Sequence, residues 1–295
     1  MRYEIFSILK NWTLIVESSI AENADSRSET EIWRDEVGLL TLSRTDRDNP
    51  NRFRFRFSDE VVLDILADQH LIIDISPLAA DSSSNRDHFL ADQLFPRLLA
   101  HEGNFVLHAG ASSIGDRAII LMGASGRGKS TLAASFNQSG GSLIGDDALI
   151  VSLQDGVFHV SAVYPSLRLM PDSVDALFSE TPASIGVATY TSKQRITLPV
   201  TADPEPRPVR IAAIFVLAEP TAGEGIDLRR LTIAESCMAL IENSFALDPT
   251  DAQRARKRLE AASELAREVP AFEISFPRDY ARLPDVRSAI LTQLA

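Results

Sequence analysis

The segment that most restricts how this chain can fold is Gly123-Ala-Ser-Gly-Arg-Gly-Lys-Ser130, which follows the apolar run Arg117–Met122 and precedes a short helix-forming stretch, residues 131–138. Its glycines let the backbone wrap closely, so that several amides can point at one centre. A helix opening directly after the loop adds the positive end of its dipole. In a strand–loop–helix setting, the spacing Gly-x-x-x-x-Gly-Lys-Ser/Thr is a phosphate-binding signature. An architecture follows from it: strand, loop, crossover helix and returning parallel strand, hence an α/β domain.

Gly140-Gly141 ends that helix, Ser142–Gly145 reads as the returning strand, and Asp146-Asp147 stand at its end. The crossover brings both acids to the carboxyl edge of the sheet, beside the loop. Two carboxylates there divide labour, one on a metal ion and one accepting the proton of an attacking hydroxyl. The ligands expected are ATP and Mg²⁺. Gly123, Ala124, Ser125, Gly126, Arg127, Gly128, Lys129, Ser130 and Thr131 form the nucleotide loop. Lys129 reaches the outer phosphates and the Ser130 hydroxyl ligates Mg²⁺.

His108 lies in FVLHAGAS, read as the first strand of a hairpin whose second strand is RAIILM. From there it either faces the phosphate site or is a satisfied structural histidine. Lys193 and Arg195, in TSKQRITLP, stand in a polar connection, where they either neutralise a transferring phosphoryl group or are simply solvated. Arg168, in YPSLRLM, is a weaker candidate of the same kind. His70, His88, His101 and His159 show no ligand spacing, and Cys237 sits in a helix-like stretch as a core residue.

The rest of the chain frames this domain. Residues 1–85 read as a strand-rich accessory module (RYEIFSIL, WTLIVES, GLLTLSR, RFRFRF, HLIIDISP), with the polar break at 80–87 separating it from a domain over 86–295. RFRFRF alternates with the period of a half-buried strand, which predicts that its arginines form a solvated face. A helix is expected from Asp87 to His101. A second, starting at Asp248-Pro249, carries a basic face that reads as solvated. The net charge of −12 argues against non-specific nucleic-acid binding and disfavours an anionic membrane surface. One cysteine allows neither an intrachain disulfide nor a cysteine metal site. No apolar run approaches the ~18–20 residues of a membrane helix. Lys10 and Asn11 interrupt the N-terminal apolar stretch, so it reads as strand rather than signal peptide. A cytoplasmic protein is expected.

LHAGAS, then GASGRGKST, then GGSLIGDD, in that order, resemble the catalytic domain of HPr kinase/phosphorylase and the wider bacterial HPr-kinase-like set, which includes kinases found with lasso-peptide biosynthesis. The resemblance continues through YPSLRLMPD, SKQRITLP and IAAIFVLAEP to SFPRDYARLPDV, covering residues 89–295. The loop and acid pair are also similar to those of phosphoenolpyruvate carboxykinase. What the resemblance implies is a P-loop domain with a mixed sheet and an ATP-dependent serine kinase. Asp146 would be the general base, Asp147 with Ser130 the metal ligands, and His108, Lys193 and Arg195 would lie around the phosphate; the roles of the two aspartates are exchangeable on sequence alone. True HPr kinases carry a glutamate after the loop's GKS, where this chain has Thr131. With no recognisable HPr-contacting segment, the expected acceptor moves from HPr to a serine on a peptide or small protein, such as a lasso-type precursor. The competing readings are a catalytically silent nucleotide-binding regulator, HPr kinase/phosphorylase proper, a carboxykinase and a plain NTPase. The composition is equally consistent with a monomer and with the homo-oligomers of that family.

Overall fold

A computed structural model of the chain describes residues 11–16, 29–35, 38–46, 48–57, 61–74, 88–164, 167–187, 191–196, 207–221, 223 and 225–294. The expected strand RYEIFSIL and the polar break at 80–87 lie outside the described residues. The chain divides into two compact units, one of residues 1–95 with 247–255, the other of residues 96–246 with 256–295.

The first unit holds a six-stranded sheet formed by β1 (Thr13–Val16), β2 (Thr30–Arg34), β3 (Leu40–Arg44), β4 (Arg52–Phe57), β5 (Val61–Leu66) and β6 (Leu71–Asp74), in the order β1-β6-β5-β4-β3-β2. Only the β1–β6 pair is parallel. Leu42, Phe53, Phe55, Leu63, Ile65 and Ile72 are all buried, and Phe89 packs on Phe55 with ring centroids 4.7 Å apart. Phe89 precedes a π turn (Leu90–Leu94) that runs into α1 (Phe95–His101). The alternation of RFRFRF does make a strand, but of its three arginines Arg52 is exposed, Arg56 half-buried and Arg54 buried. Arg54 lies opposite Asp64 of β5 and is buried, with its guanidinium on Asp64 (2.6 and 2.8 Å) and on Glu29 (2.7 Å). Arg56 shares Glu29 at 2.6 and 2.9 Å. Cross-strand and neighbouring acids satisfy the charge, so burial is affordable.

The second unit is built on a mixed nine-stranded sheet. Its strands are β7 (Phe105–Leu107), β8 (Gly110–Ile114), β9 (Arg117–Met122), β10 (Ser142–Gly145), β11 (Leu149–Gln154), β12 (Val157–Ala162), β16 (Val209–Leu217), β17 (Asp227–Arg230) and β18 (Ala271–Ser275). The main path runs β10-β8-β9-β16-β12-β11-β7. The long strand β16 pairs with β12 at Val209 and Arg210 and with β18 from Ile214 to Leu217, so the sheet forks there. β9, β16 and β18 are mutually parallel. Ala118–Met122 are apolar without alternation because both sheet faces are covered. Ile119 and Leu121 face a core with α2 (Lys129–Asn137) and, later in the chain, the helix Leu283–Thr292. Ala118, Ile120 and Met122 face another, to which Leu240, Ala262 and Leu265 belong.

A three-stranded antiparallel sheet, order β13-β15-β14, comprises β13 (Arg168–Leu169), β14 (Ser184–Gly186) and β15 (Gln194–Ile196). The helices after α2 are α3 (Pro171–Leu177), α4 (Ile233–Glu242), α5 (Ala252–Glu268) and α6 (Leu283–Thr292). α4 opens with a capping box, in which Thr232 and Glu235 exchange hydrogen bonds with each other's amides. α5 does not begin at Asp248-Pro249: Asp251 caps it, its carboxylate accepting the Arg254 amide at 3.0 Å. Asp248 instead closes a turn, taking the amide and hydroxyl of Thr250. Cys237 is half-buried against the core. Among the described residues, no helix is long and apolar enough to cross a membrane.

Candidate functional site

Strand directions decide where the chemistry collects. β8 is antiparallel to both β9 and β10, so β10 runs parallel to β9 with one strand between them. The crossover through α2 therefore returns the chain to the edge from which it left. At that edge stand the ends of β9, β10, β16 and β18 together with the start of β8. Contacts rather than strand direction bring the end of β7 and the start of β11 to the same edge, through His108 on the Asn243 carbonyl and Asn243 on the Gly123 amide. This is the carboxyl edge of the parallel strands, where α/β sheets place ligands.

The loop is shaped by glycine where only glycine serves. Gly123 has φ 133°, and a Cβ there would lie 2.6 Å from the Leu217 carbonyl oxygen. Gly128, with φ 94°, is the residue from which α2 starts, at Lys129 rather than at 131. Lys129 is buried and donates from Nζ to the carbonyls of Gly123 (2.7 Å) and Ala124 (3.2 Å). Burial pushes its ammonium down; Asp146 and Asp147 pull it back up, and Lys193 and Arg168 oppose them. Arg127 pairs with Glu219, just past β16, and Arg278, just past β18, donates to the Gly126 carbonyl at 2.9 Å. Thr131 points away from the loop's interior: its hydroxyl meets Ser173 (3.1 Å), which meets Tyr280 (3.0 Å), itself a donor to Asp172.

The acid pair is almost wholly buried. Asp146 is linked to the Ser130 hydroxyl. Its Oδ2 accepts the Arg168 amide at 3.4 Å, while Oδ1 is buried with no hydrogen-bond partner among the described residues. Gly110 makes room for it, since a Cβ there would sit 3.3 Å from that oxygen. Burial, reinforced by the neighbouring Asp147 charge, pushes the Asp146 carboxyl up to about 7. Asp147 goes the other way. Burial would raise it, but the Arg168 guanidinium on its Oδ2 (Nε at 2.6 Å), with His108 and Lys193, holds it below the ordinary carboxylate range. Its backbone is left-handed, φ 77°, a conformation that aspartate tolerates better than most residues.

His108 is not on a hairpin strand. It falls in the break between β7, which pairs with β11, and β8, which begins the hairpin with β9. Its Nδ1 lies 3.1 Å from the Asp147 carbonyl, and burial lowers its imidazole to about 4, leaving it neutral at pH 7. Lys193 is close enough for its charge to act on both Asp147 and Lys129. Arg195 sits opposite Arg168 in the β13–β15 ladder.

One contributor was underweighted in the sequence reading and two escaped it. Arg168, ranked weakest there, is the direct partner of Asp147. Arg278 and Asn243 carry no motif, and only the pairing of distant strands brings them to the loop. Among the described residues, no group of three or more His, Cys, Asp or Glu side chains could hold a metal.

No protein-family model matches the chain, and no curated protein matches it. Among solved structures, the HPr(Ser) kinase/phosphatase from Coxiella burnetii matches with 12% identity and a TM-score of 0.32, over 64% of this chain and 99% of that one.

Proposed function

We propose that this chain is an ATP- and Mg²⁺-dependent kinase that transfers the γ-phosphoryl group to a serine hydroxyl of a peptide or small protein. One observation carries the reading: two adjacent buried carboxyls beside a phosphate-type loop are pushed apart, Asp146 up to about 7 and Asp147 down. Titratable neighbours driven in opposite directions are the mark of an acid–base assignment. Asp146 is poised to accept a proton near neutrality, and its Oδ1 is unengaged. Asp147 stays ionised, with Arg168 on its Oδ2.

The residues present fit both ligands. The loop amides around Gly123, Gly126 and Gly128 and the start of α2 suit a nucleotide's phosphates, and Lys129 supplies a cation. Ser130 and Asp147 would hold Mg²⁺, which when bound neutralises charge on the phosphate oxygens. Asp146 takes the proton of the attacking serine; Lys129, Lys193 and Arg195 hold the phosphate chain in line with it. Buried walls around the pair keep water from competing.

The test follows the γ-phosphate by mass spectrometry in mixtures of the protein, ATP, Mg²⁺, HPr and a panel of serine peptides, with Asp146→Asn as control. A single phosphate on a serine, absent with the variant, is the expected result. Nucleotide bound but never transferred would instead make the chain a regulatory binding protein.

A further inference from the structure

Asn243 ends α4 and has two partners at the site, one through its side chain and one through its backbone. Its side-chain Oδ1 accepts the Gly123 amide at 3.3 Å, the first amide of the loop. Its backbone carbonyl accepts the His108 amide at 2.6 Å. The side-chain Nδ2 donates to the Ala239 carbonyl at 2.8 Å, which turns the amide so that oxygen, not nitrogen, faces the loop. Ser244 then bridges Leu107, and the Phe245 amide reaches the Val106 carbonyl, so β7 is fastened to the same short segment.

Gly123 is thus gripped from two directions. The Leu217 carbonyl closes the space where a side chain would be, and Asn243 holds the amide. His108, held by the same residue, touches the Asp147 carbonyl. One residue therefore ties the entry of the nucleotide loop to the turn that presents the acids.

We infer that Asn243 is a positioning residue for nucleotide binding: its side chain sets where the loop begins, and its backbone sets where His108 lies. This rests on the nucleotide-site reading above. A leucine removes the side-chain contact and leaves the backbone one, so Asn243→Leu should act on the loop and spare the acid pair.

The experiment measures binding of a fluorescent ATP analogue to the whole chain, without turnover, for wild type, Asn243→Leu and Thr232→Ala. Thr232→Ala breaks the cap at the other end of α4 and serves as a control for helix stability, with urea unfolding run on all three. Losing one hydrogen bond predicts about 3- to 10-fold weaker binding for Asn243→Leu. Thr232→Ala, even if equally destabilised, should bind as wild type does. If transfer is established, KM for ATP should rise by that factor with kcat within about twofold. Equal affinities for wild type and Asn243→Leu, or equal weakening in both variants, would overturn the inference. Wild type that binds no nucleotide would instead remove the reading on which it rests. Should Asn243→Leu not fold, amide exchange in the wild type decides: the Gly123 amide should exchange slowly, and fast exchange there sinks the proposal.

Discussion

In the first unit Arg54 and Arg56 meet Glu29 and Asp64, two cations with two anions, and the guanidinium and carboxylate groups are knitted by five hydrogen bonds of 2.6–2.9 Å. In the second unit Arg168 meets Asp147, while Asp146 beside it keeps a buried oxygen with no partner. Both clusters use arginine and carboxylate in buried surroundings. The first is closed: its charges balance and nothing remains to bind. The second is open: Asp146 keeps a buried oxygen unsatisfied among the described residues, a cost of about 1–3 kcal/mol for that group alone. Structure kept at such a cost is where chemistry is to be sought, because a purely structural cluster gains nothing by staying open.

Asp146→Asn should show the largest effect. It should lower phosphoryl transfer by about 10²–10⁴-fold while nucleotide affinity stays near wild type, as read by rate and binding assays on one preparation. A turnover within twofold of wild type would make the open cluster as inert as the closed one. Arg168→Met should destabilise the chain by about 3–5 kcal/mol in urea unfolding, since it strands the buried Asp147 charge. Adding Asp147→Asn to it should recover most of that loss.

Gly123→Ala comes next. Its Cβ would meet the Leu217 carbonyl at 2.6 Å with φ at 133°, so it should cost about 1–3 kcal/mol and weaken nucleotide binding. The pH dependence sharpens the contrast further. Asp146 has a folded-state value above its unfolded one, so its protonated form stabilises the fold; that contribution is complete below about 3.8 and is lost as pH rises through about 7. Wild type should therefore lose stability relative to Asp146→Asn as pH rises from about 4 to about 7, while transfer, which needs the ionised base, rises as pH passes through about 7. Asp147 and Glu29 are both depressed, so each contributes above the ordinary carboxylate range and loses that contribution only on acidification. The smallest effect belongs to Glu29→Gln, about 1–3 kcal/mol of stability with nucleotide binding unchanged. A change in binding there would erase the distinction between the clusters.

What the sequence disclosed and what it hid divide along the same physical line. The loop, its helix and Asp146-Asp147 were readable because a strand, a turn and a helix in continuous sequence determine them. The hairpin β8–β9 was readable for the same reason. His108 was misplaced because the end of β7 is set by its partner β11, which only the fold supplies. Arg168 was underweighted, and Arg278 and Asn243 were passed over, because each acts through a contact with a segment far along the chain. RFRFRF was rightly a strand and Arg52 is exposed, but the burial of Arg54 was not legible, since alternation reports period and says nothing about the acids waiting across the ladder. The cap at Asp251 lost to Asp248-Pro249 because both carry the same signal three residues apart.

The floor of the loop has a consequence for how the chain is made. β9, which ends at Met122, lies beside β16, and β16 lies beside β18, which is not complete until Ser275. A ribosome releases the loop long before it releases the strands beneath it, and Leu217, the wall against Gly123, arrives some hundred residues later. The first unit waits too, for its segment Leu247–Ala255. Neither half is finished while the chain is still short. Until then Ile119–Met122 have β8 along one edge and nothing along the other, the sort of exposed apolar edge that holdase chaperones cover and that aggregates when they are scarce.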